Sequence, residues 1–362
     1  MAKKTAFLFA FILMAGQSIA NDISLGMYYF GGWSSTFGLG APTPWRRIQE
    51  YPEREPLLGW YDDSRLETVG RQLEWMADYN IGFVVFSWYW SNRMPKPETA
   101  VRSYLNAPAR ARIPYALLWA NHDKAPTSIE EWDEMVEYWL ARHLSNPEYL
   151  KIDGKPAVFI FSADGFRDQA KVMGIEPAKM LERARDAAKA KGLNGLYFVL
   201  CVAATDYWIE KFVPSAGLDA ITGYNYHFGR AGPHNTQTPP SHSFAELDRG
   251  YRMQWAWILS KSKIPYFIPM TSGWDMRPWG GSKDPLHDNS MSVPDEFEIH
   301  LRTGYDAITR NPVKTKSIGM LCCWNEYGEG SIIEPSKRYG FEYLRRIHNV
   351  FSREKNDIVH FK

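Results

Sequence analysis

Leu25-Gly26-Met27-Tyr28-Tyr29-Phe30-Gly31-Gly32-Trp33 is the stretch on which the fold turns. Residues 25–30 are an apolar run too short for a helix and closed by glycine, the pattern of a strand buried on both faces. In a doubly wound sheet that binds nucleotides, a first strand of this kind runs into a glycine-rich phosphate loop. Here the aromatic run Tyr28-Tyr29-Phe30 leads to Gly31-Gly32-Trp33, and no such loop follows.

Working outward, similar apolar runs recur at residues 83–88, 115–119, 157–161, 196–202, 220–224, 266–270 and 317–324. Amphipathic stretches separate them. Ser64-Arg65-Leu66-Glu67 reads as a capping box ahead of Leu66, Val69, Leu73 and Met76. Trp132, Met135, Val136, Trp139 and Leu140 repeat a period of about 3.6 residues. Pro177 opens an alanine-rich helix that Gly192 closes, Ser243 to Glu246 is a second capping box, and Tyr343, Leu344, Ile347, Val350 and Phe351 mark a closing helix. Eight strands alternating with helices predict a single α/β domain, a (β/α)8 TIM barrel, in preference to an open doubly wound sheet. The loops after the first, sixth and seventh strands, residues 34–60, 227–242 and 271–292, are long and rich in Gly and Pro. Loops that follow strands gather on the C-terminal face of a barrel, where active sites lie.

The N-terminus reads as an export signal over residues 1–20, with residues 21–362 as the catalytic domain. Lys3 and Lys4 precede an apolar core from Ala6 to Ala15, and Ser18-Ile19-Ala20 is a small-x-small cleavage site. That core is too short to span a bilayer, so the expectation is an exported, periplasmic or extracellular protein with no membrane anchor after cleavage. The alternatives are an N-terminal anchor or a buried first helix. The full sequence carries 42 basic and 41 acidic side chains; loss of Lys3 and Lys4 turns the balance from +1 to about −1. A near-neutral chain offers no electrostatic case for nucleic acid.

Cys201, Cys322 and Cys323 all sit inside apolar runs and read as free, buried core thiols. The nine histidines are scattered, with no His and Cys cluster at ligand spacing, so no metal and no cofactor are expected. Aromatic residues make up 15% of the chain, including fifteen tryptophans. Such rings fill cores, and in a cleft they also stack on sugar faces.

The chemistry concentrates in Cys322-Cys323-Trp324-Asn325-Glu326-Tyr327-Gly328-Glu329-Gly330. Were the eighth strand to continue, a three-residue offset would send the two glutamates to opposite faces. Gly328 and Gly330 imply a turn beginning near Asn325 instead, with both carboxylates at the rim. Two close carboxylates split their titrations, leaving one protonated as a general acid, and this pair is what glycosidic cleavage needs. Glu326 and Glu329 are therefore the candidate catalytic residues, whereas Glu334 reads as an ordinary first-turn helix residue. Asp123, Asp206 and Asp275 are weaker candidates for the acid, since none has a partner at such spacing.

The run from Trp324 to Gly330, then Ile333-Glu334-Pro335, Tyr339-Gly340 and Tyr343-Leu344, resembles the signature of glycoside hydrolase family 99 and of the related WbsX-like proteins. Pro56-Leu57-Leu58-Gly59-Trp60-Tyr61-Asp62, Phe86-Ser87-Trp88-Tyr89-Trp90, Leu118-Trp119-Ala120-Asn121-His122 and Gly273-Trp274-Asp275 extend the likeness across nearly the whole chain after residue 20. The resemblance implies a (β/α)8 retaining glycosidase acting on α-linked, manno-configured glycans of mannose or rhamnose type. It gives Glu326 the task of deprotonating the sugar 2-hydroxyl, whose oxygen attacks C1 to form a 1,2-anhydro sugar. Glu329 then protonates the leaving oxygen and later activates water. Tyr327-Gly328 stands where the mannan-active members carry Trp-His, which is closer to the WbsX-like branch.

Tyr29, Trp88, Trp90, Asn121, His122, Tyr224, Asn225, Tyr226, His227, Trp274, Asp275 and Asn325 lie at or just beyond strand ends and are the candidate substrate-binding residues. Each alone also reads as core packing or a satisfied polar contact. Arg46, Arg47, Arg230, Arg277 and Lys283 populate the long loops, where they solvate the rim or hold an anionic oligosaccharide or polysaccharide. Two other readings compete with a hydrolase: a WbsX-like glycosyltransferase of polysaccharide synthesis, and a non-catalytic glycan-binding protein.

Overall fold

The computed structural model describes residues 23–37, 43–108, 113–122, 124–226 and 240–352. The expected leader lies outside the described residues. Eight parallel strands form the sheet: β1 Ser24–Tyr29, β2 Phe83–Trp88, β3 Tyr115–Trp119, β4 Lys155–Ile160, β5 Tyr197–Cys201, β6 Ala220–Thr222, β7 Ile268–Thr271 and β8 Ile318–Cys322. They are ordered β7-β8-β1-β2-β3-β4-β5-β6. The ring closes between β6 and the chain just before β7: Ile221 N–H donates to Pro265 C=O and Phe267 N–H to Ile221 C=O, each at 2.9 Å. Each of the eight apolar runs holds one strand, and β2 and β3 match their expected bounds.

The main helices are α1 Leu66–Asp78, α2 Thr99–Asn106, α3 Ile129–Trp139, α4 Ala163–Val172, α5 Pro177–Ala190, α6 Phe244–Lys261, α7 Pro294–Thr309 and α8 Glu342–Phe351. Trp132, Met135, Val136 and Trp139 form the buried face of α3, as their spacing predicts. The capping box expected at Ser64 does not form. Helix α1 starts at Leu66, and Ser64 instead donates its N–H to Asp62 Oδ1 at 2.8 Å, because an Asx turn satisfies that donor locally. At α6 the cap is present, with Ser243 Oγ accepting the Glu246 N–H. Among the described residues no helix is long and apolar enough to cross a membrane.

The barrel interior follows strand parity. A Cβ on Gly26 would lie 2.4 Å from the Phe83 ring and 2.7 Å from Met320 Sδ, so only glycine fits that layer. One residue pair higher, the Tyr28 ring packs against Phe159 and Tyr224, with centroids 6.3 and 4.8 Å away. Cys201 is a free, buried thiol, but Cys322 and Cys323 are joined to each other in a disulfide between neighbours, across a cis peptide. The expectation of three free thiols is corrected to one.

Candidate active site

Strand β8 ends at Cys322, and the chain folds into a hairpin in which Asn325–Glu326 pairs antiparallel with Ser331–Ile332. The turn between them holds Tyr327, Gly328, Glu329 and Gly330, so the glycines do break the strand. Each part of the turn is pinned to a different element. Asn325 accepts the Phe30 N–H at 2.8 Å and donates to Phe30 C=O at 3.0 Å, tying the hairpin to the end of β1. The Trp33 indole donates to Asn325 C=O at 3.0 Å. Arg54 donates to Tyr327 C=O at 2.6 Å, and Asp275 N–H donates to Glu329 C=O at 2.7 Å.

The two glutamates differ in surroundings. Tyr224 donates a short hydrogen bond to Glu326. Burial pushes Glu326 up to about 7, opposed by that hydroxyl. Glu329 goes higher, to about 8, by burial and then by the charge of Glu326. The pair therefore favours a state that carries one proton, held mostly on Glu329. Tyr224 itself belongs to a row of rings leading outward, Tyr28, Tyr224, Phe161, His122 and Tyr89, with successive centroids 4.8, 5.0, 5.6 and 5.6 Å apart.

Of the expected binding residues, Tyr224 contacts a catalytic candidate and exposed His122 joins the aromatic row. His227 lies outside the described residues, as do Asp123 and Arg230. The remainder are packed into the walls. Tyr29 points away from the barrel interior and donates to Gln72 of α1 at 2.8 Å. Trp88 and Trp90 pack against Tyr138 of α3, and their indoles donate to Glu98 at 2.5 Å and Glu131 at 3.2 Å. Asn121 accepts the Ser162 N–H at 2.7 Å and so joins the ends of β3 and β4. Asn225 binds Ser331 and Tyr251, both at 2.7 Å, and Tyr226 lies buried against Tyr266. Trp274 stacks on His287 at 5.7 Å. Asn325 holds the hairpin as described.

Asp275 is corrected from sugar contact or acid to ion-pair partner. It is buried between Arg54, itself buried, and the more exposed Arg277. Burial alone would raise its carboxyl, but the Arg277 hydrogen bonds and the Arg54 charge outweigh it and hold the group below its ordinary range. A carboxylate kept ionised in this way cannot serve as a general acid.

Glu334 is also corrected. It is not a helix residue but a buried carboxylate that accepts from Tyr61 and Tyr327 at 2.8 Å and from Gln72 at 2.7 Å. Burial pushes it up to about 7 despite these donors. Tyr327 is thereby fixed between the two glutamates, with its ring against Trp33 and Trp45. Tyr28, Tyr89 and Phe161 were missed in the sequence. Strand-end position marks Tyr89 and Phe161 by the same rule that selected His122, and strand parity separates Tyr28 from Tyr29.

A family model described as glycosyltransferase WbsX matches residues 48–347. Two relatives, both uncharacterized WxcX proteins of Xanthomonas campestris pv. campestris, are 20% and 21% identical over 345 and 350 residues. Each match covers 86% of this chain and 46% of the relative, so the chain spans about half the length of the curated relatives it matches. Among solved structures, the glycoside hydrolase family 99 endo-α-mannosidase of Bacteroides thetaiotaomicron superposes with a TM-score of 0.65 at 14% identity, covering 91% of this chain and 96% of that one. A glycoside hydrolase-like protein superposes with a TM-score of 0.64 at 16% identity, covering 92% and 95%. At these identities the likeness is one of fold.

Proposed function

Since the chain belongs to the WbsX glycosyltransferase family and has the barrel fold of a family 99 endo-α-mannosidase, we propose that it hydrolyses α-linked, manno-configured glycans with Glu326 and Glu329. The observation that carries the reading is the pair itself: buried Glu326 and half-buried Glu329 on one pinned hairpin at the C-terminal rim, both raised and interacting.

In this reading Glu326 is the base. The Tyr224 hydroxyl favours its charged form, which lets it take the proton from the sugar 2-hydroxyl as that oxygen bonds to C1. Glu329, the higher of the two, gives its proton to the leaving oxygen as the C1 bond to that oxygen breaks. Water then opens the 1,2-anhydro ring. Glu329 takes the water proton, and Glu326 returns a proton to O2, so both groups are restored with the anomeric configuration retained. The 2-hydroxyl must be trans to the leaving group, as in α-mannosides and α-rhamnosides.

The test is to incubate the protein with α-mannan, α-rhamnan and sulfated algal glycans, measure new reducing ends, and follow the first-formed anomer by NMR. An inverted anomer sinks the mechanism. A glycosyltransferase is the second reading because the family bears that name. Transfer from a nucleotide sugar to a glycan acceptor, with no hydrolysis, would establish it. We propose export as well, with cleavage after Ala20, which N-terminal sequencing of the secreted protein checks.

Activity is expected to be bell-shaped in pH. Glu326 must be ionised, so rate falls as pH drops through about 7, and Glu329 must be protonated, so rate falls as pH rises through about 8. These limbs belong to the coupled pair. Plotting kcat/KM from pH 5 to 10 checks this, and a rate undiminished at pH 5 excludes Glu326 as base. Tyr224→Phe removes the bond that favours the Glu326 charge. Its acid limb is expected to move to higher pH, with a rate loss of about ten-fold near neutrality, the scale of a charge-assisted bond of roughly 1.5–3 kcal/mol. An unmoved limb rules out this role.

A further inference from the structure

The turn between the glutamates touches a residue to which the proposed chemistry assigns no task. A Cβ built on Gly328 would lie 1.8 Å from Trp279 Nε1 and 2.0 Å from its Cε2, so this indole lies almost on the backbone of the residue immediately before Glu329. Trp279 ends a short turn, Arg277–Trp279, in the long loop after β7. That turn is rigid on both sides. Asp275 grips Arg277, and Asp288 accepts the Met276 and Ser282 N–H groups, both at 2.9 Å. The indole is half-buried, and its Nε1 has no hydrogen-bond partner among the described residues. Arg47 lies over the ring at 5.8 Å, with no carboxylate partner among the described residues.

A flat, half-exposed ring on a fixed loop, beside an exposed guanidinium with no carboxylate partner among the described residues, has the composition of a sugar-contact surface. We propose that Trp279 is a specificity-determining glycan contact at the Glu329 side of the site, and that position 328 is glycine because any side chain there displaces this indole. The inference rests on the glycan-cleaving reading for the site's location, but glycan contact can be read independently of cleavage.

Binding is measured in the Glu329→Gln background by affinity electrophoresis in gels containing α-mannan, α-rhamnan or a sulfated algal glycan. Initial rates are measured in the active protein. Trp279→Ala is expected to weaken retention and raise KM by roughly ten-fold, with kcat changed by less than about three-fold. Gly328→Ala is expected to weaken retention to the same degree by pushing the indole aside. The double variant should match Trp279→Ala rather than add to it, since both changes remove one contact. A kcat defect in Gly328→Ala that Trp279→Ala relieves supports the same clash. Unchanged retention in a folded Trp279→Ala protein, or full additivity in the double variant, overturns the inference. Retention without new reducing ends defeats the hydrolase reading and leaves the contact standing; cleavage with unchanged Trp279→Ala retention does the reverse. Failure of the Glu329→Gln protein to be retained by any of the three glycans overturns the contact.

Discussion

Glu329→Gln is expected to lower turnover of a natural glycan by about 10²–10⁴-fold, the range for a positioned proton donor, while the protein stays folded. Glutamine matches the carboxyl in shape and carries no charge. It therefore removes the transferable proton without adding to the burial that already disfavours ionised Glu329. Glu326→Gln should be as severe, because O2 then loses its base. The two variants separate by leaving group. An aryl glycoside whose phenol departs without protonation should recover the first step, read as a burst of phenol, in Glu329→Gln and little of it in Glu326→Gln. Steady turnover in Glu329→Gln stays limited by ring opening without its base. Near wild-type activity of either variant on the glycan removes the proposed mechanism, and equal recovery in both removes the division of labour. Unfolding midpoints within a few degrees of the parent would place any loss in chemistry.

Arg54→Ala is expected to cost about 3 kcal/mol of stability, because it removes the buried partner of a buried carboxylate and leaves only the more exposed Arg277 to compensate it. Arg54 pairs with Asp275, both side chains being 1% exposed, and also donates to the carbonyls of Tyr327 and Asp275. One substitution thus strips a charge from the loop after β7 and a donor from the hairpin. Arg277→Ala serves as control. Its side chain is 52% exposed and screened by water, so it should cost about 1 kcal/mol or less. Guanidinium denaturation of the three proteins checks the ranking, and equal midpoints would show that Arg277 alone compensates Asp275. Activity should fall with Arg54→Ala even where the protein remains folded, since the turn bearing both glutamates loses an anchor.

Much of the barrel was legible because its strands are nearly continuous apolar runs, and burial on both faces leaves no polar alternation to confuse them. The hairpin was legible from Gly328 and Gly330. Side-chain roles were not. Trp88 and His122 both sit at a strand's end, but Trp88 turns outward onto Tyr138 and Glu98 whereas His122 lies in the row toward Tyr224. Composition cannot tell these apart, because a tryptophan buried against helices and one open to a sugar are the same residue type. Glu334 misled for a related reason: the tyrosines that hold it include Tyr61, 273 residues away in sequence.

The sequence by itself determined the eightfold alternation, the place where the last strand stops and the two carboxylates at that stop. Those are local properties, written in hydrophobic period and in glycine. Only the tertiary structure decided which polar groups face one another. It set Tyr224 on Glu326, Glu334 beneath Tyr327, Arg54 against Asp275 and Trp279 against Gly328. Burial, not residue identity, raises one carboxylate and lets paired arginines hold another ionised. That burial exists only once distant segments have packed.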